Sequence, residues 1–414
     1  MGFFKTLHSS AVSKARLGEI HTDHGVVKTP AFMPAGTKGT IKGLTQGQIK
    51  DLKIQISFVN TYHLVTHPGV EVLQKAGGIH TFAKYNIPLM SDSGGFQVFS
   101  LANQNKRRAS IRGEEQPLVE KISEDGVVFR SVYDGQLITF TPETSMDFQR
   151  IIGADINMAF DECTYYPATH EYAEKAMKRT HLWLERCIKH RAVDSVSALL
   201  PASAPSLNES PRVTGSPSVR DTSRTCRQYL YGIIQGGTFE DLRKKSAEFV
   251  VTKNTPGVAI GGVSVGESKK EMRNQVEWVA PYLPKDRPVH LLGVGQVDDI
   301  VDLVKYGIDT FDCVEPTRVA RMGTAYQTRA VLAHLEGTYA PYEIDINKAA
   351  YKTDLSSLDE ECGCSTCVNY SKAYLHHLFK QRELLGYTLL SYHNLYVMER
   401  LMELIRKQIE MNLL

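Results

Sequence analysis

An α/β chain closed into a (β/α)8 TIM barrel is what this sequence predicts, and three observations carry the prediction. Short apolar segments ending in Gly, Asn or Asp recur along most of its length. Stretches such as TFEDLRKKSAEFVVTK and SKKEMRNQVEWVAPYL lie between many of them, with apolar residues at helical spacing. The apolar segments number eight, and continuous apolar runs suit strands buried on both faces of a parallel sheet.

In chain order the candidate strands are TPAFMPAG, ISFVNT, IPLMSDSGG, ADINMAFDE, YLYGIIQGG, GVAIGGVSVGE, VHLLGVG and IDTFDCVEP. Barrel enzymes work at the C-terminal ends of their strands, and polar residues fall there: Asn60, Asp92, Asp161, Gln235, Glu267 and Asp312. Polar residues also end strands that have no function, but six at one rim favour a site. Asp92, in MSDSGGFQVF, sits where a buried strand stops. A carboxylate there loses hydration and must be paired, hydrogen-bonded or used in chemistry.

The 414 residues, 42% of them hydrophobic, suit a globular protein with a substantial core and exclude a disordered or collagen-like chain. No apolar run approaches the roughly 18 residues of a spanning helix, and the N-terminus lacks an apolar signal core, so no membrane association and a cytoplasmic location are expected. Net charge is only +2, so RNA binding would need a local basic patch. Lys106, Arg107, Arg108 and Arg112 form one candidate after the third strand. The barrel is expected over residues 1–345, with a Ser/Pro-rich surface insertion at about 195–225, and a helical zinc-binding subdomain packed on it over 346–414.

Of seven cysteines, Cys362, Cys364 and Cys367 crowd into CGCSTC while the others are scattered. Such clustering points to a metal in a reducing compartment rather than to a disulfide framework. Zinc accepts thiolate and imidazole in a tetrahedron, and a cysteine-rich set implies a closed structural site. His376, His377 and His393 are all candidates for the fourth ligand, and spacing does not choose among them.

Asp92 and Asp312 end the third and eighth candidate strands. Two carboxylates facing one substrate can divide labour, one attacking an anomeric carbon while the other handles protons. This chemistry alone implies glycosyl transfer of some kind.

The motifs SDSGGFQVFSL, MAFDECT, GIIQGG, GGVSVGE, LLGVG and FDCVEPTRVAR, in that order, resemble the tRNA-guanine transglycosylase (queuine tRNA-ribosyltransferase) family in its bacterial form. The similarity runs from about residue 10 to the C-terminus, broken by the Ser/Pro insertion. CGCSTC and His393 match that family's C-x-C-x2-C-x25-H zinc pattern, so the resemblance selects His393 as fourth ligand to a single Zn2+. It further implies that Asp312 is the nucleophile at the wobble guanosine of a tRNA with a G-U-N anticodon. A 7-deazaguanine base then replaces guanine through a covalent intermediate, with Asp92 as general acid/base.

The same resemblance assigns the purine contacts to Ser93, Gly94, Gly95, Asp161, Gln235 and Gly262, with Phe96 and Leu292 stacking where the family commonly has Tyr and Met. Thr317, Arg318, Val319, Ala320 and Arg321 match a stretch that contacts the anticodon. Gly293, Val294, Gly295, Gln296, Val297, Asp298 and Asp299 match a second RNA-contacting stretch. Many bacterial members read TRNAR where this chain reads TRVAR, so Val319 offers no polar side-chain contact and RNA affinity is expected to differ, Met322 following directly after. Cys163 and Val265 match the bacterial pair and Glu267 the residue that supports an aminomethyl group, which implies 7-aminomethyl-7-deazaguanine rather than the bulkier queuine. Bacterial relatives are homodimers, which makes a homodimer the expectation. A queuine-inserting enzyme, a noncatalytic tRNA-binding accessory subunit and a carbohydrate-active retaining glycosidase are the competing readings. Retention of both acids speaks against the accessory subunit, and the cysteine cluster and TRVAR speak against the glycosidase.

Overall fold

A computed structural model describes residues 2–95, 118–131, 133, 135–197 and 226–414. Phe96, the basic loop and residues 198–225 of the insertion lie outside the described residues. Eight parallel strands form the centre: Ala31–Pro34, Ser57–Val59, Leu89–Ser91, Ile156–Met158, Tyr229–Ile234, Gly257–Ile260, Val289–Leu291 and Thr310–Cys313. Each falls inside one of the eight predicted segments. The eighth strand returns to the first, with Asp312 opposite Met33. Between the first and second strands pairing shrinks to one parallel bridge, Ala35 to Phe58. The Gly36 N–H donates to the Phe58 carbonyl there at 2.6 Å, and the Ser57 hydroxyl to the Pro34 carbonyl at 2.8 Å, so the wall is nearly closed.

Side chains alternate across that wall, as the two-residue strand period requires. Met33, Phe58, Met90, Ile156, Met158, Tyr231, Ile233 and Ala259 fill the interior. Their neighbours Phe32, Val59, Leu89, Ile234, Val258, Ile260, Leu291 and Phe311 belong to a separate cluster that includes residues of the surrounding helices. Both faces are therefore apolar, which is why the strands read as continuous hydrophobic runs. The helices Glu240–Thr252 and Lys269–Val279 occupy the two quoted amphipathic stretches. Ser268 and Glu271 close a capping box at the start of the second, satisfying N–H groups that the helix itself cannot.

Besides the antiparallel pair Thr324–Tyr326 and Glu343–Asp345, two three-stranded antiparallel sheets were not foreseen. Phe4–Ser9, Arg16–Thr22 and Gly25–Thr29 form one, whose Ile20 and Val27 join the barrel's interior cluster. Leu118–Ile122, Val127–Arg130 and Leu137–Phe140 form the other, between the third and fourth barrel strands. At the C-terminus, helix Leu384–Glu410 buries Leu395, Val397, Met398, Leu401, Met402, Ile405 and Ile409. It packs on the first barrel strand and on helix Glu315–Arg321. Among the described residues no helix is long and apolar enough to cross a membrane.

Candidate active site

Asp92 and Asp312 emerge at the same end of the barrel, from the third and eighth strands, with the first and second strands between them around the wall. Three donors converge on the Asp92 carboxylate. Asn60 Nδ2 reaches Oδ2 at 2.5 Å, and the N–H groups of Thr61 and Gly94 reach Oδ1 at 2.6 and 3.2 Å. Gly94 permits this turn: its φ is +80°, and a Cβ there would lie 2.4 Å from Cε1 of Phe140. On the opposite side, Asp312 Oδ1 accepts from the Gly293 N–H at 2.8 Å and lies 3.2 Å from His290 Nε2. Both carboxylates are thus buried and oriented by backbone N–H groups together with Asn60 at Asp92 and His290 at Asp312.

A third acid completes the floor. Asp161 accepts from the Ser93 hydroxyl at 3.1 Å and from Gln235 Nε2 at 2.7 Å. Burial pushes its carboxyl up to about 6, with the nearby Asp92 and Glu162 charges adding to the rise and these two hydrogen bonds opposing it. Gln235 spends its amide nitrogen on Asp161, while its Oε1 is buried with no partner among the described residues. An orphaned buried acceptor calls for a polar ligand or water. Gly262 lies beside it, with φ +62°, and a Cβ at that position would be 2.2 Å from this Oε1. Gly95 is equally constrained, since its Cβ would meet the Asp161 carbonyl at 2.6 Å.

Cys163 is buried, and burial pushes its thiol pKa far up, so it is a neutral wall residue. Val265 packs half-buried against the core. Glu267 accepts from the Ser264 and Val265 N–H groups at 2.6 and 2.8 Å, which folds the loop after the sixth strand back on itself. Leu292 is half-buried at the top of the interior cluster.

The two RNA stretches are placed less uniformly. Arg318 and Met322 are exposed and Val319 and Arg321 half-buried, whereas Thr317 and Ala320 are buried. Of the second stretch, Gly293 is exposed while Val294, Gly295, Val297 and Asp299 are buried. Asp298 and Asp299 pair with Lys269 and Arg273, and Gln296 Nε2 donates to Glu315 at 3.0 Å.

Far along the chain, Cys362, Cys364 and Cys367 surround His393 Nδ1, with Sγ to Nδ1 distances of 3.6, 3.5 and 3.3 Å. All four residues are buried. Zinc–sulfur and zinc–nitrogen bonds of ordinary length in a tetrahedron place sulfur and nitrogen about 3.6 Å apart, so this group could hold a metal ion. His393 Nε2 lies 2.7 Å from the Tyr326 carbonyl, which can only accept; the proton is therefore on Nε2, and Nδ1 is free to bind. His376 instead faces the Ile346 carbonyl from the adjoining helix, and His377 is exposed.

His24, His80 and Asp155 make a second compact group, at the N-terminal end of the strands. Their two rings stack face to face, 3.4 Å apart and 10° from parallel, so the ring nitrogens point alongside one another and do not converge on one ion. Asp155 is instead a structural anchor, accepting from the Leu89 N–H at 2.9 Å and from His24 Nδ1 at 2.8 Å.

Sequence reasoning missed two residues of the active-site end. His290, fully buried inside the seventh strand, is brought to Asp312 by strand register alone. Arg243 is fully buried too, although it sits in a stretch that reads as an ordinary amphipathic helix; its charge pattern gave no signal.

A barrel that brings two carboxylates, a third acid and a buried amide to one end has the arrangement of an enzyme site, and the relatives place that enzyme in the pentosyltransferase class. The sequence matches the family profile described as queuine tRNA-ribosyltransferase over residues 10–414. It is 41% identical over 406 residues to the queuine tRNA-ribosyltransferase of Caldanaerobacter subterraneus subsp. tengcongensis, covering 98% of this chain and 93% of that one. Those of Shouchella clausii and Prochlorococcus marinus are each 41% identical over 96% and 95% of this chain, and 89% and 90% of theirs. The chain belongs to this family, and its activity is tRNA-guanine transglycosylation.

Proposed function

We propose that the enzyme replaces guanine at the wobble position of G-U-N tRNAs by 7-aminomethyl-7-deazaguanine through a covalent aspartyl-ribosyl intermediate. The observation that carries this reading is the pair of buried, separately oriented carboxylates, Asp92 and Asp312, at one barrel end. Asp312 attacks C1′ as the bond to N9 breaks, and the electron pair of that bond leaves with guanine, which takes a proton from Asp92. The incoming base returns its N9 proton to Asp92, attacks C1′ and expels Asp312. Two inversions give net retention.

Asp161 and Gln235 supply acceptors for the donors of the purine's pairing edge, and Gly262 supplies a backbone donor for O6. Ser93, Gly94 and Gly95 bring the backbone close to the ring, which Leu292 flanks. Glu267 draws the Ser264 N–H toward itself, and a trans peptide then directs the Val263 carbonyl the opposite way, as an acceptor for an aminomethyl cation. The relatives are named for queuine, but the Cys163 and Val265 pair of the bacterial pattern leaves less room for a cyclopentenediol. The TRVAR and Gly293 to Asp299 segments contact the anticodon. The metal is one structural Zn2+, held by Cys362, Cys364, Cys367 and His393, and residues 346–414 form its subdomain beside a barrel over 1–345. The active form is a cytoplasmic homodimer.

Incorporation of labelled guanine into a G-U-N tRNA, followed by competition between 7-aminomethyl-7-deazaguanine and queuine, tests the reading. Incorporation and preference for the aminomethyl base are expected. Absence of incorporation by the pure protein would sink the enzyme reading, and preference for queuine would overturn the pocket assignment.

A further inference from the structure

Arg243 lies in helix Glu240–Thr252, behind the loops that end the fifth and sixth strands. A guanidinium has five N–H donors, and all five are engaged here. Nε donates to the Gly237 carbonyl at 2.7 Å, and Nη1 to the carbonyls of Ile234 and Gly261 at 3.3 and 2.6 Å. Nη2 donates to the Gly262 carbonyl at 2.7 Å and to Gln275 Oε1 at 2.5 Å. None of these acceptors carries a charge, and Glu267 is reached only through the Gln275 amide at 3.4 Å. Burial lowers the guanidinium pKa to about 10, which still leaves it protonated at neutral pH. A buried cation held by neutral dipoles alone is costly, so its location calls for a reason beyond packing.

The carbonyls it holds suggest one. A trans peptide sets its N–H opposite its C=O. With the Gly261 and Gly262 carbonyls drawn onto Arg243, the N–H groups of Gly262 and Val263 face the other way. Among the described residues neither has a protein acceptor. Beside them lies the orphaned Gln235 Oε1.

We propose that Arg243 is a positioning residue for base exchange, turning these two N–H groups toward O6 of the purine and lending them positive potential as the base departs. This deepens the function proposed above and rests on it. When the C1′–N9 bond breaks, its electron pair enters the purine ring and negative charge spreads to O6 until Asp92 delivers a proton. Donors fixed beforehand at that oxygen, in a site poor in water, favour the departing base over the bound nucleoside.

Removing Arg243 itself would strand the Gly237, Gly261 and Gly262 carbonyls, so the test leaves it in place. Gln275→Glu keeps each of its backbone hydrogen bonds while setting a carboxylate against Nη2, and Gln275→Leu deletes the amide without neutralising the cation. Single-turnover release is measured from tRNA carrying guanine or 8-azaguanine, whose additional ring nitrogen makes it the more acidic leaving base, together with kcat and KM for the tRNA. Neither leaving base uses the aminomethyl subsite beside Glu267. Gln275→Glu is expected to slow guanine release about tenfold or more, beyond any loss in Gln275→Leu, with a smaller loss for 8-azaguanine and little change in tRNA KM. Equal losses for the two bases, or release of guanine by Gln275→Glu at the wild-type rate, would overturn the inference while wild-type exchange stands. Failure of the wild-type protein to exchange guanine at all would instead strike the function on which the inference rests.

Discussion

His290 Nε2 lies 3.2 Å from Asp312 Oδ1, and its Nδ1 lies 2.9 Å from the Thr310 hydroxyl. An ionised Asp312 can only accept, so Nε2 donates to it, while Nδ1 meets the Thr310 hydroxyl, which can either donate or accept. Thr310 and Asp312 lie two residues apart on the eighth strand and face the same way, while register places His290 opposite Thr310. The imidazole is thereby fixed between the Thr310 hydroxyl and the Asp312 carboxylate.

His290→Phe should therefore lower kcat by about 10- to 100-fold, the usual cost of a misplaced reacting group, while leaving KM for tRNA near its wild-type value. Asp312 would keep its Gly293 N–H but lose the second donor that sets its angle. Steady-state exchange kinetics check this; an unchanged kcat would remove His290 from the machinery.

Asp161 predicts a pH dependence. Its carboxyl titrates at about 6 instead of the ordinary 3.8, so it is ionised above pH 6 and increasingly protonated below it. Guanine presents donors along N1 and the 2-amino group, and only the carboxylate can accept from both. The acid limb of kcat/KM for the incoming base, which reports the covalent enzyme form that binds it, should fall as pH drops through about 6. In Asp161→Asn that limb should disappear along with most base affinity. A flat profile between pH 5 and 7 would refute the assignment.

Arg16 and Asp309 tie the N-terminal sheet to the start of the eighth strand. Nε and Nη2 of Arg16 reach the two carboxylate oxygens at 3.0 and 2.6 Å, and the remaining donors go to the Pro284, Lys285 and Arg287 carbonyls. Arg16→Ala leaves Asp309 buried and uncompensated, which should cost about 3–5 kcal/mol in urea unfolding. Arg16→Lys should recover only part of that, because a single ammonium cannot reproduce the fork. A loss below about 1 kcal/mol would mean that the pair behaves as a surface ion pair.

How far the sequence could be read follows from what each residue needed. The eight strands were legible because a barrel wall is apolar on both faces, and Asp92 and Asp312 because an acid at such a strand's end stands out. Phe4–Ser9 was not, since most of its residues are exposed and no apolar run marks it. His290 looked like one polar residue in VHLLGVG, and its meaning depends on a register that one strand does not encode. Arg243 sits among Glu240, Asp241, Lys244 and Lys245, and only the packing of the Gly261–Gly262 loop shows that it alone of these points inward.

His24 and Asp155 give a stability window. Hydrogen bonding to Asp155 raises His24 from 6.5 to about 10, so its contribution is full below about 6.5 and is lost as pH rises through 10. Asp155 falls from 3.8 to about 2 because the hydrogen bonds of His24, His80 and the Leu89 N–H outweigh its burial. Its contribution is present above 3.8 and lost as pH falls through 2. His24→Ala should accordingly cost about 1–3 kcal/mol near pH 5.5, the usual worth of a charge-assisted hydrogen bond, and much less above pH 10. Urea melts at the two pH values decide it, and equal penalties at both would show that His24 acts by packing alone.

The cysteine cluster supplies the last expectation. Without a metal, three buried sulfurs crowd His393 Nδ1 at 3.3–3.6 Å, with the Cys367 N–H at 3.5 Å from Cys364 Sγ as a backbone donor. That arrangement is costly, so chelation should release about one zinc per chain and lower thermal stability. The damage should spread along a traceable route. His393 holds the Tyr326 carbonyl; its neighbour Asn394 accepts from the Tyr326 N–H at 2.9 Å and donates to the Pro316 carbonyl at 3.0 Å. Pro316 lies in the helix that follows Asp312 by two residues. Metal loss should thus loosen the TRVAR helix and raise KM for tRNA while the base pocket, built on other strands, is spared. Hydrogen exchange of residues 315–326 with and without chelator would trace this. If exchange rises there together with tRNA KM, and base affinity holds, the metal is structural; a fall in kcat with no change in exchange would place it in the chemistry instead.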